Sequence, residues 1–155
     1  MSRSTHWKKS LSSAGIGIAA LVVSVTAFSG QAFAENVEGI EVDDSVVSSE
    51  NAEAVTAALP CIASTGVITC FDKAGDKVYV KDTKADGKSA VGLWRTDYGR
   101  SGGCRNKLTA GKWAQCNYNM REGGNIQLQN ARYDGETRKF IYPEPRVYSP
   151  WLSIN

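Results

Sequence analysis

Four carboxylates of the chain could supply the acid and base of a glycoside hydrolase: Asp82, Asp97, Glu122 and Asp134. Two carboxylates that flank a glycosidic bond are sufficient for hydrolysis, one as general acid and the other as base or nucleophile. All except Asp97 lie beside a turn glycine or at the end of a strand-like run, where acidic residues are common for structural reasons. A structural role is the favoured interpretation, and a catalytic pair is the alternative.

Histidine chemistry is not expected in the exported chain. The only histidine, His6, lies in an N-terminal segment that we predict to be removed. Ser-His and Cys-His nucleophiles and histidine-bound zinc all require an imidazole. The sequence therefore leans away from an enzyme, and we assign no catalytic residue and no cofactor.

A mixed group of basic, aromatic and amide side chains is the candidate binding surface. Its members are Trp94, Arg95, Tyr98, Arg105, Lys107, Lys112, Gln127 and Gln129. Basic and aromatic residues together can hold a polyanion through charge and stacking. Rings with amides on an open sheet face could instead bind a sugar. The alternative places the tryptophans in the core and the charges on a solvated face.

Two patterns suggest metal ligands, and both fail. DTKADG, residues 82–87, has Asp82 and Asp86 at positions one and five of a calcium loop, but Lys84 occupies position three and Leu93 position twelve. These residues cannot supply the ligands that the loop needs, so a hairpin turn is favoured. Zinc sites made of four cysteines usually contain a closely spaced pair, which this chain lacks. We assign no metal site.

The four cysteines predict two disulfides. Cys61, Cys70, Cys104 and Cys116 form an even set in a small exported domain, and three connectivities are possible. The short separations favour Cys61 with Cys70 and Cys104 with Cys116. CRNKLTAGKWAQC, residues 104–116, then reads as a stapled hairpin with Trp113 toward the core, and secondarily as a binding loop.

Residues 1–34 are typical of an export signal. Arg3, Lys8 and Lys9 precede an apolar stretch over residues 14–28, and Ala32-Phe33-Ala34 provides a cleavage site. The apolar stretch is shorter than the roughly twenty residues that span a membrane. We predict a secreted, extracellular, soluble protein with no membrane span after cleavage, and a monomer.

Charge divides the rest of the chain at about residue 60. Residues 35–60 carry seven acids and no Lys or Arg, whereas residues 61–155 carry nine acids and fifteen bases. The acidic segment has no aromatic residue and no sustained period, which predicts a disordered or weakly helical leader or linker. A second hypothesis is that it masks the basic domain until a protease removes it.

Residues 61–155 form the predicted domain, and their pattern is that of short strands. Strand-sized runs recur between turn signals such as Ala85-Asp86-Gly87, Ser101-Gly102-Gly103 and Glu122-Gly123-Gly124. The predicted strands are residues 67–71, 77–82, 89–96, 112–118, 125–133, 138–142 and 147–154. KVYVKD and NIQLQ alternate apolar and polar residues, as half-buried strands do. The expected fold is all-β, a small antiparallel β-sandwich or barrel of about six to eight short strands stapled by two disulfides.

Residues 78–118, from VYVKDTKADGKSAV to AGKWAQCNY, together with YDGETRKF and SPWLSI, resemble a family of small exported proteins of actinomycete-type bacteria. The resemblance covers most of residues 68–154 and implies export and a compact β domain, with no catalytic residue. Trp94-Arg95-Thr96 is also similar to the Trp-Arg-Tyr of two-disulfide β-sandwich amylase inhibitors, with Thr96 in place of the tyrosine. That likeness implies inhibition of a hydrolase.

The favoured function is a secreted, non-enzymatic binding module that docks on an extracellular protein or glycan, with hydrolase inhibition as one form. Small stapled scaffolds present preordered loops, which lowers the entropy lost on binding. The alternative is a carboxylate-dependent glycan hydrolase. A further alternative is a secreted toxin or polyanion-binding protein.

Overall fold

The computed structural model describes residues 35–37, 40–43 and 52–155 of the chain. Within these ranges lie eleven strands and one short helix. In chain order they are β1 (Glu35–Val37), β2 (Ile40–Asp43), α1 (Ala52–Thr56), β3 (Cys61–Ser64), β4 (Val67–Asp72), β5 (Lys77–Asp82), β6 (Ser89–Thr96), β7 (Ser101–Asn106), β8 (Trp113–Asn117), β9 (Asn125–Asp134), β10 (Lys139–Ile141) and β11 (Leu152–Ser153).

The strands form two sheets, which we call the larger and the smaller sheet. The larger has the order β1-β2-β7-β6-β9-β10, with β11 also paired to β9, and the smaller has the order β3-β4-β5-β8. All pairs are antiparallel except β2 with β7. The predicted all-β fold with antiparallel sheets and two disulfides is confirmed, and its architecture is a sandwich.

The central core lies between the two sheets. Alternate residues of each strand point inward, so β4, β5, β6 and β9 all contribute to it. Eight of its side chains, each at most 4% exposed, are Val67, Phe71, Val78, Val80, Ala90, Trp94, Ile126 and Leu128. The alternation predicted for KVYVKD and NIQLQ agrees with this placement, because Val78, Val80, Ile126 and Leu128 are all in the core.

Strand β7 was not expected, because Ser101-Gly102-Gly103 reads as a turn. In the structure these residues pair with Arg95, Trp94 and Leu93 of β6. A Cβ atom on Gly102 would lie only 2.5 Å from Cζ2 of Trp94. Glycine in a strand often marks such a close approach. Gly102 therefore makes room for the Trp94 ring, and the turn prediction is wrong here.

A second close approach joins the sheets through Gly92. A Cβ atom at this position would lie 2.5 Å from Cγ2 of Thr69 on the smaller sheet. Beside it, the buried Thr69 hydroxyl donates a hydrogen bond to Oδ1 of Asn130 over 2.6 Å. Asn130 in turn donates to the carbonyl of Val67 over 3.2 Å. Because both side chains are fully buried and bonded, this polar contact fixes how the sheets align.

Both predicted disulfides are present. Cys61 and Cys70 lie directly opposite each other on β3 and β4, with 4.1 Å between their Cα atoms. The Cys104–Cys116 bond has a different role from the one predicted, because Cys104 is on β7 of the larger sheet and Cys116 is on β8 of the smaller. Residues 104–116 are therefore a connection between sheets and not a hairpin.

Trp113 is buried, but it lies outside the central core. Along β8 it alternates with Ala114, which faces the larger sheet, so the indole lies on the outer face of the smaller sheet. There it packs with Cys70 and Tyr79, and Leu59 and Ile68 flank the cluster. The predicted placement of Trp113 toward the core is therefore wrong, because the indole is buried in a separate cluster on the outer face.

The described parts of the acidic segment contact the domain. Ile40–Asp43 forms β2, which pairs with β7, and Val42 is 3% exposed against an outer apolar cluster that includes Leu93. Ala52–Thr56 forms the single turn of helix α1. Strand β2 differs from the expected disordered or weakly helical segment, because β7 offers an edge for pairing and Val42 buries apolar surface. The short helix α1 agrees with the weakly helical alternative.

The predicted export signal, residues 1–34, lies outside the described residues, as do residues 38–39 and 44–51 of the acidic segment. Among the residues that are described, no helix is both long enough and apolar enough to cross a membrane.

Candidate binding surface

Three of the predicted binding residues lie together on the outer face of the larger sheet. Arg95 is near the end of β6, and Gln127 and Gln129 are on β9, beside it. Arg95 lies opposite Gln127 in the register, and Leu93 lies opposite Gln129. Because their neighbours Trp94 and Leu128 fill the core, these polar side chains must point outward.

The C-terminal segment adds two aromatic rings to this face. The backbone N–H of Ser149 donates to the carbonyl of Leu128 over 3.0 Å, and the N–H of Leu128 donates to Oγ of Ser149 over 2.9 Å. This pairing, continued by β11, holds the segment along β9. Tyr148 is 46% exposed and Trp151 is 47% exposed. Both are large aromatic side chains that are exposed to solvent.

Hydrogen bonds and a cation–π contact connect these side chains. Nε and Nη2 of Arg95 both donate to Oε1 of Gln127, over 2.9 and 2.7 Å, and the guanidinium lies 5.5 Å from the Trp151 ring centroid. Nε2 of Gln129 donates to the hydroxyl of Tyr148 over 3.3 Å. We call Arg95, Gln127, Gln129, Tyr148 and Trp151 the Arg95–Trp151 surface.

A shallow cavity of about 180 Å³ lies beside Arg95, Gln127, Gln129 and Tyr148 of this surface. Its wall is completed by Ile40, Leu93, Trp94 and Ser101. Pockets that enclose a small-molecule ligand are larger, at roughly 300 to 1,000 Å³. Among the described residues that line it, Arg95 is the only charged one and there is no carboxylate. The surface can therefore hold a flat group by stacking and hydrogen bonding, but its described lining offers no acid–base pair.

Two of the other predicted residues are structural. Trp94 is 4% exposed in the central core, where its ring meets that of Tyr118 edge-on at 4.8 Å. The hydroxyl of Tyr98 accepts the backbone N–H of Arg121 over 3.1 Å, and the Arg121 guanidinium lies 5.0 Å from its ring centroid. Neither side chain belongs to the Arg95–Trp151 surface.

The remaining three predicted residues are basic and lie apart from that surface. Arg105 is on the outer face of β7, with its guanidinium 4.2 Å from the Tyr133 ring centroid. Lys107 and Lys112 are exposed on the connection between β7 and β8. Lys107 borders a second cleft of about 450 Å³, formed with residues 84–89. The predicted basic group is thus divided between two places.

The four candidate carboxylates are also dispersed. Asp97 accepts a hydrogen bond from Nδ2 of Asn125 over 2.8 Å, which lowers its pKa, and Glu122 is exposed on a turn. Asp134 forms an ion pair with Lys88 at 2.8 Å. Asp82 lines the second cleft and is 6% exposed, and burial raises its pKa.

Asp86 also lines the second cleft, and its partners are cations. It pairs with Arg132 and lies 3.4 Å from Nζ of Lys84, and these contacts hold its pKa below its usual value despite some desolvation. A calcium loop would need both Asp82 and Asp86 as ligands. Among the described residues, no group of three or more His, Cys, Asp or Glu side chains could hold a metal ion.

Sequence reasoning missed Tyr148 and Trp151. Both belong to a run, residues 147–154, that was expected to be a strand. Pro150 lies between them, and because proline cannot donate to a ladder, it breaks the pairing and lets both rings project. Two aromatics on either side of a strand-breaking Ser-Pro are the signal that could have identified them.

Comparison with protein-family models, with curated proteins and with solved structures gives no match for this chain. What the chain does is therefore inferred from its own residues.

Proposed function

We propose that this protein is an exported, non-enzymatic binding module that docks on an extracellular glycan through the Arg95–Trp151 surface. The observation that carries the proposal is the exposure of Tyr148 and Trp151, 46% and 47%, at the two ends of a row of polar side chains. The row consists of Arg95, Gln127 and Gln129.

The chemistry of the surface suits a sugar chain. A sugar ring presents an apolar face, which an exposed indole or phenol can cover, and a rim of hydroxyls, which amides and a guanidinium can bond. Among the described residues, Oε1 of Gln129 has no hydrogen-bond partner, so it is available to accept from a hydroxyl. The Gln127 amide is already oriented, because its Nε2 donates to the Ser149 carbonyl over 2.9 Å. Such preordering lowers the entropy lost on binding.

A protein ligand, including a hydrolase to be inhibited, is the other class that this surface could take. Protein hot spots are rich in Trp, Tyr and Arg, but their anchors lie in fully desolvated pockets surrounded by other contacts. Here the two rings are joined through polar amides at a shallow cavity, which favours the glycan.

Export is supported by the two disulfides, because such bonds persist in oxidising compartments. The signal peptide, the monomeric state and the resemblance to the actinomycete-type family remain predictions from the sequence.

Binding to insoluble chitin, cellulose, xylan and bacterial peptidoglycan would test the proposal. We expect wild-type protein to be retained on at least one of them. Trp151→Ala should bind it roughly fivefold to tenfold more weakly, since a ring contact contributes about 1 to 1.5 kcal/mol. The matched control is Ile141→Ala, which removes an exposed apolar side chain elsewhere.

Equal retention of the wild-type and Trp151→Ala proteins would contradict the proposal, as would no retention of the wild type on any of the four glycans. A Gln129→Ala variant that weakens binding without a change in melting temperature would extend it to the polar row.

The runner-up is a glycan hydrolase that uses the second cleft, where Asp82 and Asp86 have pKa values displaced in opposite directions. In many enzymes the catalytic acid and base are two carboxyl groups whose surroundings shift their pKa values in opposite directions. However, Oδ1 of Asp82 accepts the N–H of Lys84 over 2.9 Å, and Oδ1 of Asp86 accepts that of Lys88 over 3.2 Å, as turn-forming acids do. Release of reducing sugar that Asp82→Asn abolishes would favour the enzyme.

Polyanion binding at the same cleft is the third candidate. Lys84 and Lys88 line it with Lys107, but each of the first two forms an ion pair with a carboxylate, Asp86 or Asp134. This local neutralisation weakens the attraction for phosphates. Strong retention on heparin at moderate salt that Lys107→Ala reduces would favour this candidate.

A further inference from the structure

The outer face of the smaller sheet carries two hydrogen-bond donors that converge on one point. Lys81 on β5 and Trp113 on β8 lie directly opposite each other in the register. Nζ of Lys81 is 5.4 Å from the centroid of the Trp113 ring. The indole is 8% exposed and is packed against Tyr79 and Cys70. The sheet and its disulfide therefore fix the position of the donors.

A carboxylate from the acidic segment occupies this point. Both oxygens of Glu53 accept from Nζ of Lys81, over 2.8 and 2.9 Å, and Oε2 also accepts from Nε1 of Trp113 over 2.5 Å. An ammonium and an indole N–H both bond best to an ionised acceptor. The hydrogen bond from Lys81, followed by that from Trp113, holds the pKa of Glu53 below its ordinary value of 4.5.

The two sides of this contact differ in how firmly they are held. The donors belong to neighbouring strands, whereas Glu53 is on the five-residue helix α1 and its side chain is 72% exposed. A helix of this length is not stable by itself in water. The contact also joins parts of the chain that are 28 and 60 residues apart. Glu53 is thus a tethered occupant that can leave while the donors remain in place.

The surroundings of the carboxylate indicate a polypeptide as the ligand. Leu59, six residues after Glu53, packs against the cluster formed by Trp113, Tyr79 and Cys70. The occupant therefore combines an acidic side chain with an apolar residue farther along the same chain. A small carboxylic acid would fill only the first of these two contacts.

We propose that Lys81 and Trp113 form a carboxylate-recognition site that Glu53 fills in cis, and that an acidic polypeptide segment of a partner takes the same site when α1 leaves it. The site is on the opposite sheet from the Arg95–Trp151 surface and does not depend on the glycan proposal. It also gives a specific form to the masking hypothesis, since Glu53 covers a defined basic and aromatic pair.

The test uses the full chain with a Glu53→Ala substitution and a peptide of residues 50–60, ENAEAVTAALP, as the probe. The Trp113 indole N–H resonance, assigned with a Trp113→Phe variant, is followed by NMR. We expect Glu53→Ala to shift this resonance and the added peptide to restore it. The wild-type resonance should stay unchanged when the peptide is added, because the tethered carboxylate already fills the site at a millimolar effective concentration.

Two controls, a peptide and a protein variant, test whether the response depends on the Glu53 carboxylate. The same peptide with Glu53→Gln should restore the resonance at least about tenfold less effectively, because it lacks the charge on which both donors act. A Glu136→Ala protein, changed at an exposed acid elsewhere, should behave as the wild type does. The indole resonances of Trp94 and Trp151 report whether the variants remain folded.

Three outcomes would overturn the proposal. The first is a Glu53→Ala protein whose Trp113 resonance ignores the peptide at millimolar concentration, and the second is an equal response to the Glu53→Gln peptide. The third is full restoration by sodium acetate at the same concentration, which would show that any carboxylate suffices and that the rest of the polypeptide contributes nothing to recognition.

Discussion

The Asp134 side chain holds a turn through several hydrogen bonds. Asp134 is the last residue of β9, where it lies opposite Lys139 of β10. Its carboxylate accepts from Nζ of Lys88 over 2.8 Å and also accepts the backbone N–H groups of Glu136 and Thr137. The Lys88 hydrogen bond, followed by that from Thr137, lowers the pKa of Asp134 from 3.8 to about 2. Asp134 thus fixes the turn between β9 and β10.

This pKa predicts how stability depends on pH. Because the pKa is lower in the folded chain than in the unfolded chain, the ionised carboxylate stabilises the fold above about pH 4, and this contribution disappears as the pH falls toward 2. Asp134→Asn should lower the melting temperature at pH 6, and its difference from the wild type should shrink between pH 4 and 2. A constant difference, or an equal effect of the control Glu122→Gln, would contradict this.

At the residue scale, the alternation of apolar and polar residues predicted which way side chains point. Contacts between residues distant in sequence could not be predicted in this way. The pattern of NIQLQ placed Gln127 and Gln129 on the outer face, where they lie. No periodicity could join Glu53 to Trp113, because the contact spans 60 residues and crosses from the acidic segment to β8. The exposure of Tyr148 and Trp151 depends on how the C-terminal segment docks beside β9, which is a tertiary property.

At the scale of elements, β7 depends on its glycines. We expect Gly102→Ala to destabilise the fold by about 1 to 3 kcal/mol, because the added methyl would overlap the Trp94 ring, which the core holds in place. Urea unfolding would measure the loss. Ser101→Ala is the matched control, since Ser101 is exposed on the same strand and should change the stability little.

A Gly102→Ala protein as stable as the wild type would mean that the Trp94 ring can move aside, and the assignment of close packing to this strand would then fail. A lower slope of the urea transition would show a change in cooperativity instead of a local overlap.

The strands that the sequence pattern predicted differ in amino-acid composition from β7, which it missed. Lys77–Asp82, Ser89–Thr96 and Asn125–Asp134 are rich in apolar residues that alternate or run together, and all were expected as strands. Ser101–Asn106 has two glycines and no large apolar side chain, so its strand character comes from pairing with β6. Within residues 61–155 the structure has nine strands, β3 to β11, against the six to eight predicted, because β3 and β7 were not expected.

At the scale of the whole molecule, the two disulfides have similar loop lengths but different positions. Their sequence separations are 9 and 12, so the loss of loop-closure entropy predicts about 3 kcal/mol for each. Cys104 and Cys116 are both buried between the sheets, whereas in the other pair only Cys70 is buried, on the outer face of the smaller sheet, and Cys61 is exposed. Removing the bond between sheets therefore also leaves a cavity.

We expect the paired substitution Cys104→Ala and Cys116→Ala to cost more unfolding free energy than Cys61→Ala and Cys70→Ala. The excess should be roughly 1 kcal/mol or more, because a methyl-sized void in a packed core costs about this much. Urea unfolding of the two double variants would measure it. Equal losses would show that the sheets collapse onto the site and that only chain entropy is at stake.

The sequence predicted which cysteines pair but not which layers they join. Short spacing favours contact between Cys104 and Cys116, yet spacing carries no information about the sheet to which each strand belongs. The layers are decided by side chains distant in sequence, such as Thr69 and Asn130, which meet across the sandwich.

The close approaches at Gly92 and Gly102 define a fingerprint by which relatives of this chain could be recognised. Gly92 faces Thr69, and Gly102 faces the Trp94 ring. A Cβ atom at either glycine would lie only 2.5 Å from the nearest atom of its partner. Evolution could therefore exchange either glycine only together with its partner. In divergent relatives, a change at either glycine should therefore be accompanied by a change at its partner.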